Sequence, residues 1–359
     1  MNRTKQVVLA INPGSTSTKI ALFSPTQLVW QEQRDHTAED ISSFANVASQ
    51  FGMRLSHLDA LLTRAPQEVE FQGVVGRGGL LQPLASGTYA VNRRMLDELR
   101  EARWGEHASN LGALLAHDIA LRFGVPSFIV DPVVVDELEE YARLSGWPDI
   151  ERRSIFHALN HKAVGRRAAL ELGRSYPELA LVVAHLGGGI TVGAHRYGRV
   201  IEVNNGLDGE GPFSPERCGG LPLSGLIAYA ARHGDKAEAL ASRIAGRGGL
   251  VDHLGTNDAR EVEKHIAAGN QKFRLVYEAM AYQIAKEIGR CVGALGCRPH
   301  AIVLTGGLAF STWLVERIQK KTESMAHRFL VYPGEDELSA LAEGAWRVLD
   351  GLEEAREYS

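Results

Sequence analysis

Two stretches of this chain repeat one pattern: an apolar strand, a tight turn of small residues, and a second apolar strand. Residues 7–23 read VVLAINPGSTSTKIALF, and residues 181–194 read LVVAHLGGGITVGA. Apolar runs of this length, bounded by Gly and hydroxyl residues, mark β-hairpins. A polar residue closes the first strand in each, Asn12 in one and His185 in the other. Each hairpin leads into another short β pattern, 27–33 and 199–203. Helical periodicity follows, and later a single apolar strand, 127–130 in the first half and 301–305 in the second. Halves that open alike and mix strands with helices point to a duplicated α/β architecture on mixed sheets, with a cleft between two domains. The expected division is 1–175 and 176–359, with the C-terminal helix packing back across. In the second half, Asp258 and Glu261 have capping-box spacing and predict a helix over 259–268. Phe273, Tyr277, Met280, Ile284, Ile288 and Val292 step by three or four and predict a long amphipathic helix over 271–294, its apolar stripe facing the core.

Composition narrows the class. The 359 residues are 45% hydrophobic and 23% charged, with a net charge of -4, too balanced for disorder and without the basic excess of a nucleic-acid binder. Three cysteines, Cys218, Cys291 and Cys297, are too few and too irregularly spaced for a disulfide framework or a structural zinc site, so a reducing compartment fits. The apolar run behind Arg3 and Lys5, Val7 to Ile11, is too short for a signal peptide. No stretch approaches the ~20 apolar residues of a membrane span. A soluble, cytoplasmic protein with neither a nucleic-acid nor a membrane partner is expected.

The chemistry lies in the glycine-rich strand ends. In Asn12-Pro13-Gly14-Ser15-Thr16-Ser17-Thr18-Lys19, a turn of Gly and hydroxyl residues offers N–H groups and the Ser15 and Ser17 hydroxyls to a phosphate, and Lys19 adds a positive charge. It lacks the second Gly and the following helix of a P-loop, and an ordinary hairpin turn is the plain alternative. His185-Leu186-Gly187-Gly188-Gly189 strengthens the phosphate reading. Consecutive glycines weaken strands, and close approach of a ligand to the backbone would explain them better than packing. Thr305-Gly306-Gly307 follows an apolar strand and precedes a helix, a place for a nucleotide against main chain.

Taken together, these motifs resemble the acetokinase family, part of the larger group of acetate and sugar kinases, chaperone ATPases and actin. The run from Val7 to Phe23 is similar to the family's N-terminal signature. Gly73-Val74-Val75-Gly76-Arg77-Gly78-Gly79, Asp131-Pro132-Val133, Phe156-His157-Ala158-Leu159-Asn160-His161, His185 to Gly189, Glu216-Arg217-Cys218-Gly219-Gly220 and Thr305-Gly306-Gly307 follow in family order. The resemblance covers nearly the whole chain. It implies two duplicated actin-like (ribonuclease H-like) domains, ATP/ADP and Mg2+, and reversible phosphoryl transfer to a short-chain carboxylate. Butanoate is the first candidate acceptor, with acetate, propionate or isobutyrate as alternatives. A homodimer or larger assembly is also implied.

Such a reaction suits these residue types. A carboxylate is already ionised near neutrality, so it needs no base. The task is to bring two anions together and stabilise the phosphoryl group in transit. The resemblance makes Arg77 and Arg217 the charge-stabilising pair, His157 a donor to the phosphoryl oxygens, and Asp131 a catalytic group. As a carboxylate at a strand end, Asp131 could orient an arginine or hold magnesium through water; a structural Asp capping a turn is the alternative. His185, Gly187, Gly188 and Gly189 join the phosphate set. Asp258 and Arg260 align with a family pair near the ribose, and Gly306 and Gly307 would admit adenine or ribose. Magnesium falls to Asn12 with Asp336 or Glu337. His157 and His161 have helical metal-ligand spacing but lack the zinc signature, and His161 reads as a packing or capping residue. Val74, Val75, Leu80, Leu81 and Pro132 are candidates to line the acyl pocket. A sugar kinase would need an Asp base and would lack the two Gly-flanked arginines; an ATP-dependent switch would carry partner-binding insertions that this chain does not have.

Overall fold

The computed structural model describes residues 5–234 and 236–359. The chain forms two compact units, one running to Val135 and completed by Asp336–Ser359, the other spanning Asp136–Glu335.

In the first unit, β1 (Lys5–Pro13), β2 (Ser17–Phe23) and β3 (Leu28–Asp35) form an antiparallel meander. β4 (Val69–Arg77) adds parallel to β1. β5 (Thr88–Ala90) pairs antiparallel with β6 (Ser127–Val130), which itself runs parallel to β4, giving the order β3-β2-β1-β4-β6-β5. Val7 to Ile11 are fully buried, as expected for a central strand covered on both faces. Helices Phe51–Leu62 and Asn110–Phe123 close one face around Leu9, Ile11, Leu22, Leu58, Leu111 and Leu115. Helix Glu337–Leu349 packs on β1, β4 and β6. A Cβ on Gly76 would fall 2.1 Å from the Gly112 carbonyl oxygen. Two glycines therefore let helix Asn110–Phe123 lie directly on the end of β4.

In the second unit, β7 (Ala180–Leu186), β8 (Ile190–Arg196) and β9 (Arg199–Val203) repeat the meander. β10 (Ala301–Gly306) runs parallel to β7, and β11 (Arg328–Pro333) parallel to β10. The order β11-β10-β7-β8-β9 is the first sheet's order without its β5 edge, so the duplication holds strand for strand. It also corrects one correspondence: the counterpart of β10 is β4, not 127–130, which matches β11. β4 escapes a sequence reading because Gln72 and Gly73 interrupt its apolar run. Helix Gln271–Leu295 buries Tyr277, Met280, Ile284 and Ile288 against one face of this sheet. Each such side chain contributes about 1.5–3 kcal/mol of transfer free energy. Helix Ala158–Glu171 packs on the other face through Val164 and Ala168.

The division at Val135/Asp136 departs from the expected 175/176. The segment after β6 already bonds to the second sheet: Val200 N–H donates to Glu137, and Glu139 N–H to the Ile201 carbonyl. The capping box at 258–261 is likewise replaced. Asp258 does cap helix Ala259–Ala267, but it accepts from Arg260 N–H, while Glu261 accepts from the Thr256 hydroxyl.

Buried histidines give the fold a pH dependence. His36 lies 2.8 Å from Thr18 Oγ1, and burial, aided by the charges of Arg54 and His57, lowers its pKa to about 4. Burial pushes His161 and His195 well below the ordinary histidine range. The unfolded chain takes up these protons near pH 6.5 while the native state does not. Stability is therefore expected to be full above pH 6.5 and to fall toward pH 4, by up to ~1.4 kcal/mol per pH unit for each histidine. Urea unfolding at pH 7.5, 6 and 5 checks this; a constant midpoint would contradict it.

Candidate active site

The β1–β2 turn is closed by Gly14 N–H donating to the Ser17 carbonyl at 2.8 Å, which leaves Ser15 exposed at the tip. Asn12 and Lys19 are cross-strand partners and so share a face of the sheet. Asn12 meets two residues distant in sequence. Its amide donates to Glu337 Oε2 at 2.5 Å, and Arg77 Nη1 donates to the same oxygen at 3.0 Å and to Asn12 Oδ1 at 3.4 Å. Arg77 is the last residue of β4, not an arginine in an irregular loop, and its flanking glycines serve packing: a Cβ on Gly78 would strike Pro132, and one on Gly79 would strike Asn110. Asn12 Oδ1 and Glu337 Oε2 thus both accept from Arg77 Nη1, and both are oxygens of the kind a hard divalent cation takes. Asp336 instead caps helix Glu337–Leu349 through Ser339 N–H.

Sequence reasoning missed the residue that shapes this turn. Arg54, 1% exposed on helix Phe51–Leu62, donates to the carbonyls of Gly14, Ser15 and Ser17 and to Thr18 Oγ1, while Gln50 accepts from its other side. With the carbonyls drawn back onto a guanidinium, the Ser15 and Ser17 hydroxyls at the tip can turn toward an anion. An arginine on the otherwise amphipathic helix face was the one available signal.

The second unit carries the other set. His157 stands at the N-terminal flank of helix Ala158–Glu171 without a side-chain capping bond, and its ring stacks on that of His185 at 3.7 Å between centroids. His157 Nδ1 lies 2.9 Å from Thr191 Oγ1; His185 Nδ1 lies 2.8 Å from Asn160 Oδ1, and its Nε2 lies 3.0 Å from Glu335 Oε1. Loop 185–189 is zipped to the loop bearing Arg217, since both the Ser214 hydroxyl and Glu216 N–H donate to the Gly188 carbonyl. Arg217 Nη1 donates to the Gly206 carbonyl at 2.6 Å, and a Cβ on Gly189 would sit 2.0 Å from that nitrogen. Burial lowers the Arg217 pKa, against the pull of Glu216. These contacts revise the reason for the glycines: Gly189 makes room for Arg217, Gly187 for His185 and Glu335, and Gly306, at φ +88°, for the Leu186 carbonyl. Gly307 has open space around it.

Other candidates take plainer places. Asp131, 1% exposed, accepts from Gly87 N–H at 2.7 Å and returns its own N–H to the Gly87 carbonyl, a pair of bonds that ties the end of β6 to the residue before β5. Arg260 is exposed and Asp258 half-buried, and they pair with each other at 2.8 Å, which lowers the Asp258 pKa to about 2. Their loop joins the Arg217 loop through Asn257, which donates to Glu216 at 2.7 Å. Val74, Val75 and Leu81 are closed off from solvent and belong to the core, as does Pro132 beneath Gly78. Leu80 alone of the five proposed lining residues is partly exposed. His161 is fully buried, in keeping with a packing role, but is hydrogen-bonded to Thr191.

Two sheets of one topology, each ending in a polar turn, define the actin-like kinase fold. The superposition on the acetate kinase of Porphyromonas gingivalis bears this out, with a TM-score of 0.76 at 20% identity over 97% of this chain and all of that one. The profile of the Acetokinase family matches residues 140–326. The chain is 50% identical to a protein of Coprothermobacter proteolyticus named "Probable butyrate kinase", and 49% identical to butyrate kinase 1 of Clostridium acetobutylicum. Each match covers 98% of this chain and 99% of the relative. The chain belongs to the acetokinase family. Among the described residues, no helix is long and apolar enough to cross a membrane.

Proposed function

We propose that the chain transfers the γ-phosphoryl group of ATP reversibly to butanoate, giving butanoyl phosphate and ADP by direct in-line displacement. The observation that carries this is the Arg217 guanidinium seated on the Gly187–Gly189 loop that follows His185. A substrate that arrives as an anion needs fixed positive charge and donors rather than a base, and this loop offers them. In this reading Arg217 and His157 donate to the phosphoryl oxygens in transit, and Arg77 draws the carboxylate. Ser15, Ser17, Lys19, His185 and Gly187–Gly189 hold the phosphate chain. Asp258 and Arg260 meet the ribose, and Gly306 and Gly307 the base. Asp131 acts as a catalytic group by family resemblance alone. Asn12 and Glu337 would hold Mg2+, which, when bound, neutralises phosphate charge; Arg77 would then exchange its ion pair with Glu337 for the substrate carboxylate. Three unpaired cysteines fit a cytoplasmic setting. The exposed Leu223 and Ile227 of helix Leu223–His233 fit a homo-oligomer.

Hydroxylamine trapping of acyl phosphate with linear and branched acids of two to six carbons tests the reading. Butanoate is expected to exceed acetate in kcat/KM by at least about tenfold, from two methylenes in an apolar site. Loss of ATP without hydroxamate, or phosphorylation of glucose instead, would overturn it.

A further inference from the structure

Behind His157 runs a buried chain of polar side chains that the proposed reaction does not use. Thr191 Oγ1 sits 2.9 Å from His157 Nδ1 and 3.0 Å from His161 Nε2. His161 Nδ1 is 3.3 Å from His195 Nε2, and His195 Nδ1 is 2.7 Å from the Tyr176 hydroxyl. Thr191, His161 and His195 are fully buried, and Tyr176 is 9% exposed. The chain thus joins β8, helix Ala158–Glu171 and the turn at Tyr176–Glu178, bringing together residues no local motif connects.

We propose that Tyr176, His195, His161 and Thr191 form a one-directional hydrogen-bond relay that fixes His157 as its Nε2–H tautomer. The direction follows from chemistry at each link. Burial keeps His161 and His195 neutral, so each ring has one donor and one acceptor nitrogen. A phenol is the stronger donor and an imidazole nitrogen the stronger acceptor, so the Tyr176 hydroxyl donates to His195 Nδ1. His195 then carries its proton on Nε2 and donates to His161 Nδ1, and His161 donates through Nε2 to Thr191 Oγ1. The Thr191 hydroxyl is left to donate to His157 Nδ1. With Nδ1 an acceptor, the His157 proton lies on Nε2, the nitrogen that can donate to a phosphoryl oxygen. The reverse polarity would make that nitrogen an acceptor, facing an anion with a lone pair. The four residues are positioning groups that never meet the substrate. The proposal rests on the reading of His157 as a phosphoryl donor.

The test uses the full-length protein with 15N-labelled histidine, His157 being assigned by comparison with His157→Gln. The wild type is expected to show His157 as the Nε2–H tautomer. Tyr176→Phe keeps the ring and removes only the terminal donor. It is expected to give a mixture of tautomers and to lower kcat roughly tenfold, the worth of about one hydrogen bond, with KM for ATP within about twofold. His161→Gln, whose amide nitrogen can replace Nε2 as donor to Thr191, is expected to retain the wild-type tautomer. An Nδ1–H tautomer in the wild type, or Tyr176→Phe unchanged in both spectrum and kcat, would overturn the relay. If no acid accepts phosphate from the wild type, the functional reading fails, and the histidine spectra still decide the relay.

Discussion

Arg217→Ala is expected to lower kcat by about a thousandfold while leaving the thermal midpoint nearly unchanged. The size follows from what one charged donor to a developing phosphoryl charge is worth in a site that excludes water. The stability expectation follows from the local structure: the Arg217 loop is held by main chain, with Ser214 N–H donating to the Arg217 carbonyl and Leu250 N–H to the Ser214 carbonyl. Gly189→Ala provides an independent route to the same result. Its Cβ would overlap the Arg217 guanidinium, the far end of a flexible side chain, which can swing away without disturbing the fold. The two variants should be strongly non-additive, because each removes the same group from the same place. Steady-state kinetics with butanoate, beside a thermal melt, measures both. Near-normal turnover in Arg217→Ala would remove this arginine from the reaction.

The second large effect concerns stability. Arg54→Met keeps the aliphatic bulk but removes the guanidinium from the Gly14, Ser15 and Ser17 carbonyls. It is expected to destabilise the first unit by about 3 kcal/mol, within the range for losing charged, buried hydrogen bonds. At this size of unit, that is a drop of roughly 6–12 °C in Tm. KM for ATP should rise as well, because the hairpin turn loses what shapes it. An unchanged melting temperature would show that solvent replaces these bonds at no cost.

These two residues mark how far the sequence was legible. Arg217 stood out because it lies in a short motif, Glu-Arg-Cys-Gly-Gly, that resembles the family's and falls in the family's order. Arg54 did not: it lies on a helix with no unusual neighbours in sequence, and apart from Gln50 its partners lie 36 to 40 positions away. The same contrast runs through the histidines. His157 could be read as a site residue from the family resemblance, and His185 from its place at a strand end before a glycine loop. Their stacking could not, since it depends on how helix Ala158–Glu171 lies on β7. Of the acidic run at 335–337, sequence offered no choice. The structure gives the two different partners, with Asp336 capping the helix and Glu337 hydrogen-bonded to Asn12 and Arg77.

By itself the sequence determined the hairpins, the long helix, the matching openings of the two halves and the family, because alternation, helical stepping and short motifs are local properties that neighbours along the chain impose on one another. The tertiary structure alone decided what the glycines accommodate, which carboxylate faces Asn12, and where a buried arginine and a row of histidines meet their partners. Those outcomes depend on distances between residues tens to hundreds of positions apart. Such distances are set when the helices settle onto the sheets, and no local pattern encodes them.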